Sequence, residues 1–349
     1  MKERMNWIDA LRGFTMFSVV AVHMLTYGFG VNPTSSTLCV LRGAFTLPLF
    51  FMVSGFFLYR PVEQWTRERL WGTLKVRFVA MVIGCFLFAT LFEMFRHPKD
   101  PQIWYVTGYP GAYWFTFTLF QMFLYYQVSV AISRWCRRSL LIPLFVLSVV
   151  APIVMTIINP FDGRFWSSWI GNKHTILYFQ FVVAGMLIRK YQERVFGILM
   201  NPWMLTILII GFLSACVLNL KAAAPEFKEY SKWIDIYYWS VGKYCGAFLV
   251  INIFYYNREF FNGRGRFVSY WRKVGKRTLD IYYIHYFLLP QLYWVKPYIS
   301  KGNTLLPELT LACLGAAIIL VLSVAIGGLL RRAPLIRNLL GEKGMIPVQ

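Results

Sequence analysis

Acidic side chains are scarce in this 349-residue chain: 15 Asp and Glu stand against 36 Lys and Arg, a formal net charge of +21. Charged residues make up 15% of the composition and hydrophobic residues 58%, where a soluble globular protein has about 25% and roughly 45–50%. With so little polar surface, a water-facing α/β enzyme and a disordered chain are both excluded. The six cysteines, Cys39, Cys85, Cys136, Cys216, Cys245 and Cys313, form no C-x-x-C pair. That scatter excludes a secreted disulfide scaffold and reads as small buried residues. Also lacking are H-E-x-x-H, G-x-S-x-G and a Walker lysine loop. No internal repeat or inverted symmetry is visible, which weighs against the commonest transporter designs.

What is present is a series of apolar runs near the roughly 20 residues needed to cross a hydrocarbon core. Ten are read, at roughly 8–29, 39–59, 78–95, 113–133, 139–159, 175–189, 203–220, 236–256, 278–295 and 308–330. The basic residues test this division. The N-terminus, every second connection and the tail hold 24 Lys and Arg, whereas the alternate loops hold 9. Such a bias predicts an all-α integral membrane protein of about ten transmembrane helices, with N- and C-termini cytoplasmic. The excess charge is thereby assigned to loops, and no nucleic acid partner is expected. Lys2 and Arg4 precede an apolar stretch as in a secretory signal, but Asp9, Arg12 and His23 interrupt it, so a retained first helix is expected. The sequence predicts a single domain over 1–349 with no attached soluble domain.

Ionisable residues inside spans are costly and so are site candidates. The first run carries Asp9, Arg12 and His23. At about 100° per residue, the eleven steps from Arg12 to His23 end roughly 20° past three full turns, with about 16 Å of rise between them. One face therefore carries a guanidinium and an imidazole, with Asp9 beside the first. Arg12 falls in the cytoplasmic half and His23 in the outer half. Each also has a structural reading: Arg12 as a snorkelling anchor paired with Asp9, His23 as a helix-packing hydrogen bond. The ninth run, G-K-R-T-L-D-I-Y-Y-I-H-Y, adds Asp280, Tyr282 and His285. Asp280 and His285, five apart, do not share a face. Two buried histidines on different spans suit proton transfer near neutral pH. Lys243 sits mid-span and needs a partner or water; Glu93 and Glu308 lie toward outer helix ends, where charge costs little. Ser54 and Gly55 suggest a close helix approach, and Trp114 an aromatic belt. His97 and His174, expected in external loops, lack neighbouring metal ligands. Gly263-Arg264-Gly265-Arg266 reads as a solvated basic loop.

Asp9-Ala10-Leu11-Arg12-Gly13, with ten residues between Arg12 and His23, resembles the R-x(10)-H signature of the membrane acyltransferase-3 family. Leu47 to Leu58 (LPLFFMVSGFFL) is similar to that family's second span. Lys75-Val76-Arg77-Phe78 resembles its basic approach to the third, Tyr113 to Phe120 its W-F segment, and Phe181 to Leu187 its F-x-x-x-G-x-L pattern. Gly275 to His285 resembles the closing G-x-x-S/T-L-x-I-Y-x-x-H, and Leu339 to Lys343 the L-L-G-x-K. Ala80 stands where a second arginine is usual, and Gly84 where proline is common.

The resemblance implies a ten-helix membrane-bound O-acyltransferase. It would move an acetyl or other short acyl group from cytoplasmic acyl-CoA, a co-substrate rather than a bound cofactor, to a hydroxyl of a carbohydrate, glycolipid or small molecule. A stand-alone member without an extracytoplasmic hydrolase-like domain, in the bacterial cytoplasmic membrane, is implied. His23, Arg12 and His285 are the expected catalytic residues; Asp9, Ser54, Arg77, Trp114 and Tyr282 are the expected substrate contacts. No metal is expected. A proton-coupled transporter of a small solute or lipid-linked sugar is the alternative, using the same intramembrane charges.

Overall fold

A computed structural model describes residues 5–34, 36–98, 111–153, 172–222, 224–299 and 305–341. Among the described residues there are helices and loops and no strand. Six helices are long and apolar enough to cross a membrane: Asn6–Gly28, Thr37–Leu58, Arg67–Arg96, Gly111–Trp135, Pro202–Lys221 and Leu305–Leu330. The chain is an integral membrane protein. The other four predicted runs fall on helices that are shorter or more polar. Of the run at 139–159, Leu141–Ile153 is helical and apolar and 154–159 lie outside the described residues; Asn172–Lys190 begins with polar residues, and Ser231–Tyr256 is diluted by charge. In the fourth, Thr278–Leu288, the helix stops well before residue 295 because Leu289, preceding Pro290, is extended (φ −68°, ψ 117°).

Local chemistry sets the helix ends. Asn201 caps the helix Pro202–Lys221 by accepting from the Trp203 N–H at 2.9 Å, with Pro202 in the first turn where its missing donor costs nothing. Ser36 caps Thr37–Gly43 in the same way through the Cys39 N–H. The flanks of the spans carry large exposed apolar residues. Ile207, Ile210 and Val217 mark one such face, and Leu314, Ile318 and Val321 another. Each buried square ångström of such surface is worth about 25 cal/mol, so these faces belong against acyl chains.

The helices group into two compact units, Met1–Phe50 with Tyr191–Gly327, and Phe51–Lys190 with Gly328–Gln349. In the first unit, Asn6–His23 is the central element, with Trp7, Ile8, Leu11, Met16 and Val20 all buried. Two of the helices against it position the site. The amphipathic Arg266–Lys276 meets it backbone to backbone: a Cβ at Gly275 would lie 1.7 Å from the Asp9 carbonyl oxygen, and one at Gly13 would lie 2.5 Å from that of Trp271. Thr278–Leu288 is tied to it at two levels, Arg12 to Thr278 and His23 to His285, so these two helices run in the same direction. Leu305–Leu330 runs oppositely, its Gly315 facing Met24 and its Gly327 facing Asp280.

In the second unit, Thr46–Leu58 contributes its C-terminal part and packs on Asn172–Lys190 through two glycines. Gly55 faces the Val182 carbonyl and Gly185 faces that of Met52, each leaving a space that a Cβ would overfill. The expectation of a close approach at Ser54-Gly55 is met here. Tyr126 fixes the turn after Leu58, donating to the Arg60 carbonyl at 2.8 Å and accepting from the Arg60 N–H and the Trp65 indole, each at 3.2 Å. Arg134 donates to the carbonyl oxygens of Val62 and Trp65.

Candidate active site

The helix Thr278–Leu288 places Thr278, Tyr282 and His285 at spacings of four and three, one strip of its surface. His285 is fully buried. Its Nδ1 lies 2.8 Å from the Ile281 carbonyl oxygen and 3.0 Å from that of Tyr282. Carbonyls only accept, so Nδ1 carries the proton. The Nε2 of neutral His285 is then a lone-pair acceptor, and it faces His23 Nδ1 at 2.8 Å. His23 must donate from Nδ1, which leaves a lone pair on His23 Nε2. That nitrogen is 3.5 Å from the Tyr286 hydroxyl. The rings stack around it: His285 and Tyr286 lie 5.1 and 5.0 Å from the His23 centroid, with Tyr27 edge-on at 5.4 Å. Two carbonyls thus orient one imidazole, and that imidazole sets the tautomer of the next.

Eleven residues before His23, Arg12 donates from Nη2 to the Thr278 hydroxyl at 3.0 Å, with its Nη1 3.9 Å from Asp9. Asp9 is buried, whereas Arg12 keeps about a quarter of its side chain exposed. The guanidinium is therefore aimed by these two neighbours and stays partly exposed. Asp280, fully buried, accepts from Arg277 at 3.2 Å and makes no pair with His285, as the five-residue spacing requires. On the amphipathic helix Arg266–Lys276, partial burial pushes the Tyr270 hydroxyl up from its ordinary value.

An acyltransferase domain family matches residues 5–328. The chain belongs to the acyltransferase-3 family. It is an acyltransferase, and no curated protein or solved structure matches it significantly.

Five of the eight expected site residues of this acyltransferase, Asp9, Arg12, His23, Tyr282 and His285, come together along the seam between Asn6–His23 and Thr278–Leu288. Tyr282 enters through its carbonyl and by packing its ring near His285 at 6.3 Å. The other three belong to the second unit. Ser54 is half-buried, and among the described residues its hydroxyl has no hydrogen-bond partner. Arg77 is buried, its guanidinium 4.6 Å over the Phe123 ring and its Nε without an acceptor among the described residues. Trp114 opens the helix Trp114–Trp135 and packs its ring, tilted by 30°, against His174 at 4.6 Å. His174 is therefore in a helix, Asn172–Lys190, and not in a loop.

Two contacts were not singled out in the sequence: Thr278, the partner of Arg12, and Tyr286, beside the His23 lone pair. The 278–282–285/286 helical spacing was the available signal for both. Lys243 finds the face of Trp239 one turn earlier, 2.9 Å from the ring centroid, a W-x-x-x-K pair also readable from spacing. Glu308, expected toward an outer helix end where charge costs little, is buried and accepts from the Ser36 hydroxyl at 2.7 Å. Among the described residues no cluster of His, Cys, Asp or Glu suits a metal ion.

Proposed function

We propose that this acyltransferase moves an acetyl or other short acyl group from cytoplasmic acyl-CoA to a hydroxyl of a cell-surface glycan, glycolipid or small molecule. In this reading one domain of ten spans, with both termini cytoplasmic, sits in the bacterial cytoplasmic membrane. The observation that carries it is the contact of His285 Nε2 with His23 Nδ1 while His285 Nδ1 faces the Ile281 carbonyl, an arrangement that assigns the lone pair of neutral His23 to Nε2. The acceptor hydroxyl gives its proton to this nitrogen as its oxygen attacks the thioester carbonyl. The C–O bond forms, the C–S bond breaks, and the proton passes from His23 to the departing thiolate, giving ester and free thiol. His285 stabilises the imidazolium formed in between by accepting from its Nδ1–H.

Arg12 stands about 16 Å of helix rise below His23, beyond reach of the reacting carbonyl. Its role is to hold the donor's polar stem, where a planar guanidinium suits phosphate or amide oxygens. Parallel packing of the first helix with Thr278–Leu288, and antiparallel packing with Leu305–Leu330, supports spans one, nine and ten of an alternating series. Arg77 and Ser54, whose polar atoms have capacity to spare, are substrate contacts in this reading, and Trp114 offers the acceptor an aromatic face.

Purified protein in vesicles, given labelled acetyl-CoA and a hydroxyl acceptor library, tests this. Wild type should transfer label. Folded, membrane-inserted His23→Ala should lose transfer by about 10²-fold or more. Solute flux without chemistry would point instead to a transporter, and undiminished turnover in His23→Ala would remove His23 from the reaction.

A further inference from the structure

The amphipathic helix Arg266–Lys276 buries Val268, Val274 and Gly275 against its neighbours and leaves its basic side uncovered. That side forms a cavity of about 460 Å³ lined by Asn6, Ser269, Arg272, Lys273, Lys276 and Arg277. The volume falls in the range of small-molecule sites, about 300–1,000 Å³. Four of the six lining residues are cations and none is acidic. Arg272 is braced by the Asn262 carbonyl at 3.4 Å and the Ser269 hydroxyl at 3.3 Å, and Arg277 by Asp280. Among the described residues, neither Lys273 nor Lys276 is engaged in a hydrogen bond or ion pair. Two aimed guanidiniums and two uncommitted ammoniums around one hollow repel each other, and a ligand carrying several negative charges relieves that repulsion.

The position of the cavity narrows the ligand further. Arg277 precedes Thr278, the residue that holds Arg12, so the cavity lies at the Arg12 end of the seam. The reactive His23 nitrogen lies about 16 Å of helix rise away. A molecule serving both ends is long and thin, with a polyanionic head and a reactive far end.

We propose that this cavity seats the phosphate groups of the nucleotide end of the acyl donor, with Lys273 and Lys276 as their main ionic contacts. The inference rests on the acyl-CoA reading above and adds the subsite that recognises the donor's head. Arg12 then guides the stem from this cavity toward His23.

The test compares acyl-CoA with the N-acetylcysteamine thioester of the same acyl group, which lacks the nucleotide and its phosphates. In the double variant Lys273→Ala/Lys276→Ala, the ratio of kcat/KM for acyl-CoA to that for the truncated thioester should fall by about 10- to 100-fold, mostly through KM. Lys273→Arg/Lys276→Arg should recover most of it. An unchanged ratio overturns the assignment. Calorimetry with 3′-phosphoadenosine 5′-diphosphate gives a readout independent of transfer: binding by wild type and its loss in the double variant support the subsite even if no acceptor is found. Equal binding by both proteins rules it out. Anionic lipid headgroups carry the same chemistry. If the variant loses only its response to phosphatidylglycerol content in vesicles, with nucleotide binding intact, the cavity is a lipid site and the proposal falls.

Discussion

His285 illustrates how much a single side chain decides. Its Nδ1 is committed to two backbone carbonyls, so its Nε2 can only accept while neutral, and His23 is left with one tautomer. Nitrogen-15 NMR of histidine-labelled protein should therefore find His23 protonated at Nδ1 and bare at Nε2; a resting enzyme with the proton on Nε2 contradicts the assignment. Replacing His285 by Ala removes the acceptor that orients His23 and should lower kcat on the order of 10²-fold. His285→Gln, whose amide oxygen can still accept from His23, should regain part of the loss, an outcome that a purely packing role would not give. At this scale the sequence was informative wherever a charge or imidazole interrupted an apolar run. Asp9, Arg12, His23 and His285 stood out for that reason. Thr278 and Tyr286 did not, because hydroxyl groups are common in apolar helices and reveal a partner only when another helix supplies it.

Between helices, backbone contact is made wherever glycine removes the Cβ. Gly13 and Gly275 draw Arg266–Lys276 onto the first helix; Gly55 and Gly185 do the same for Thr46–Leu58 and Asn172–Lys190. A methyl at Gly185 would meet the Met52 carbonyl oxygen at 1.8 Å, which only a separation of the two backbones can relieve. Overpacking of this kind costs about 1–3 kcal/mol, against a gain of roughly 0.5–1 kcal/mol for removing glycine from a helix. Gly185→Ala should therefore lower the Tm of the detergent-solubilised protein, measured by loss of the monodisperse peak on heating; an equal or higher Tm would show that the helices are not in backbone contact. Small-residue positions were visible in the sequence, but their partners were not. Wide-turn π-helical segments were equally invisible: Met24–Gly28 begins directly after His23, and Tyr238–Gly242 directly before Lys243. No residue type marks such a turn, although it often lies at functional positions.

At the scale of the whole molecule, the distribution of basic residues predicts a definite orientation. Exposed Thr34, after the first span, should face outward, and exposed Arg264, ahead of the amphipathic helix, should face the cytoplasm. With the exposed Cys136 first replaced by Ser, a membrane-impermeant thiol reagent added to intact cells should label Thr34→Cys and not Arg264→Cys. Labelling of the second variant alone would invert the topology and with it the side from which the donor arrives. Composition by itself determined that the chain lives in lipid, because 58% hydrophobic residues leave no other solvent for so many apolar faces. Helical periodicity likewise put Arg12 and His23 on one face, since that angle depends on a single helix. Which histidine nitrogen keeps the lone pair, and that Asn6 borders the cavity of Arg272, Lys273, Lys276 and Arg277, were settled by tertiary packing alone. Each of these depends on atoms brought together from opposite ends of the chain, 262 residues apart for the two histidines, and no local pattern encodes a partner at that distance.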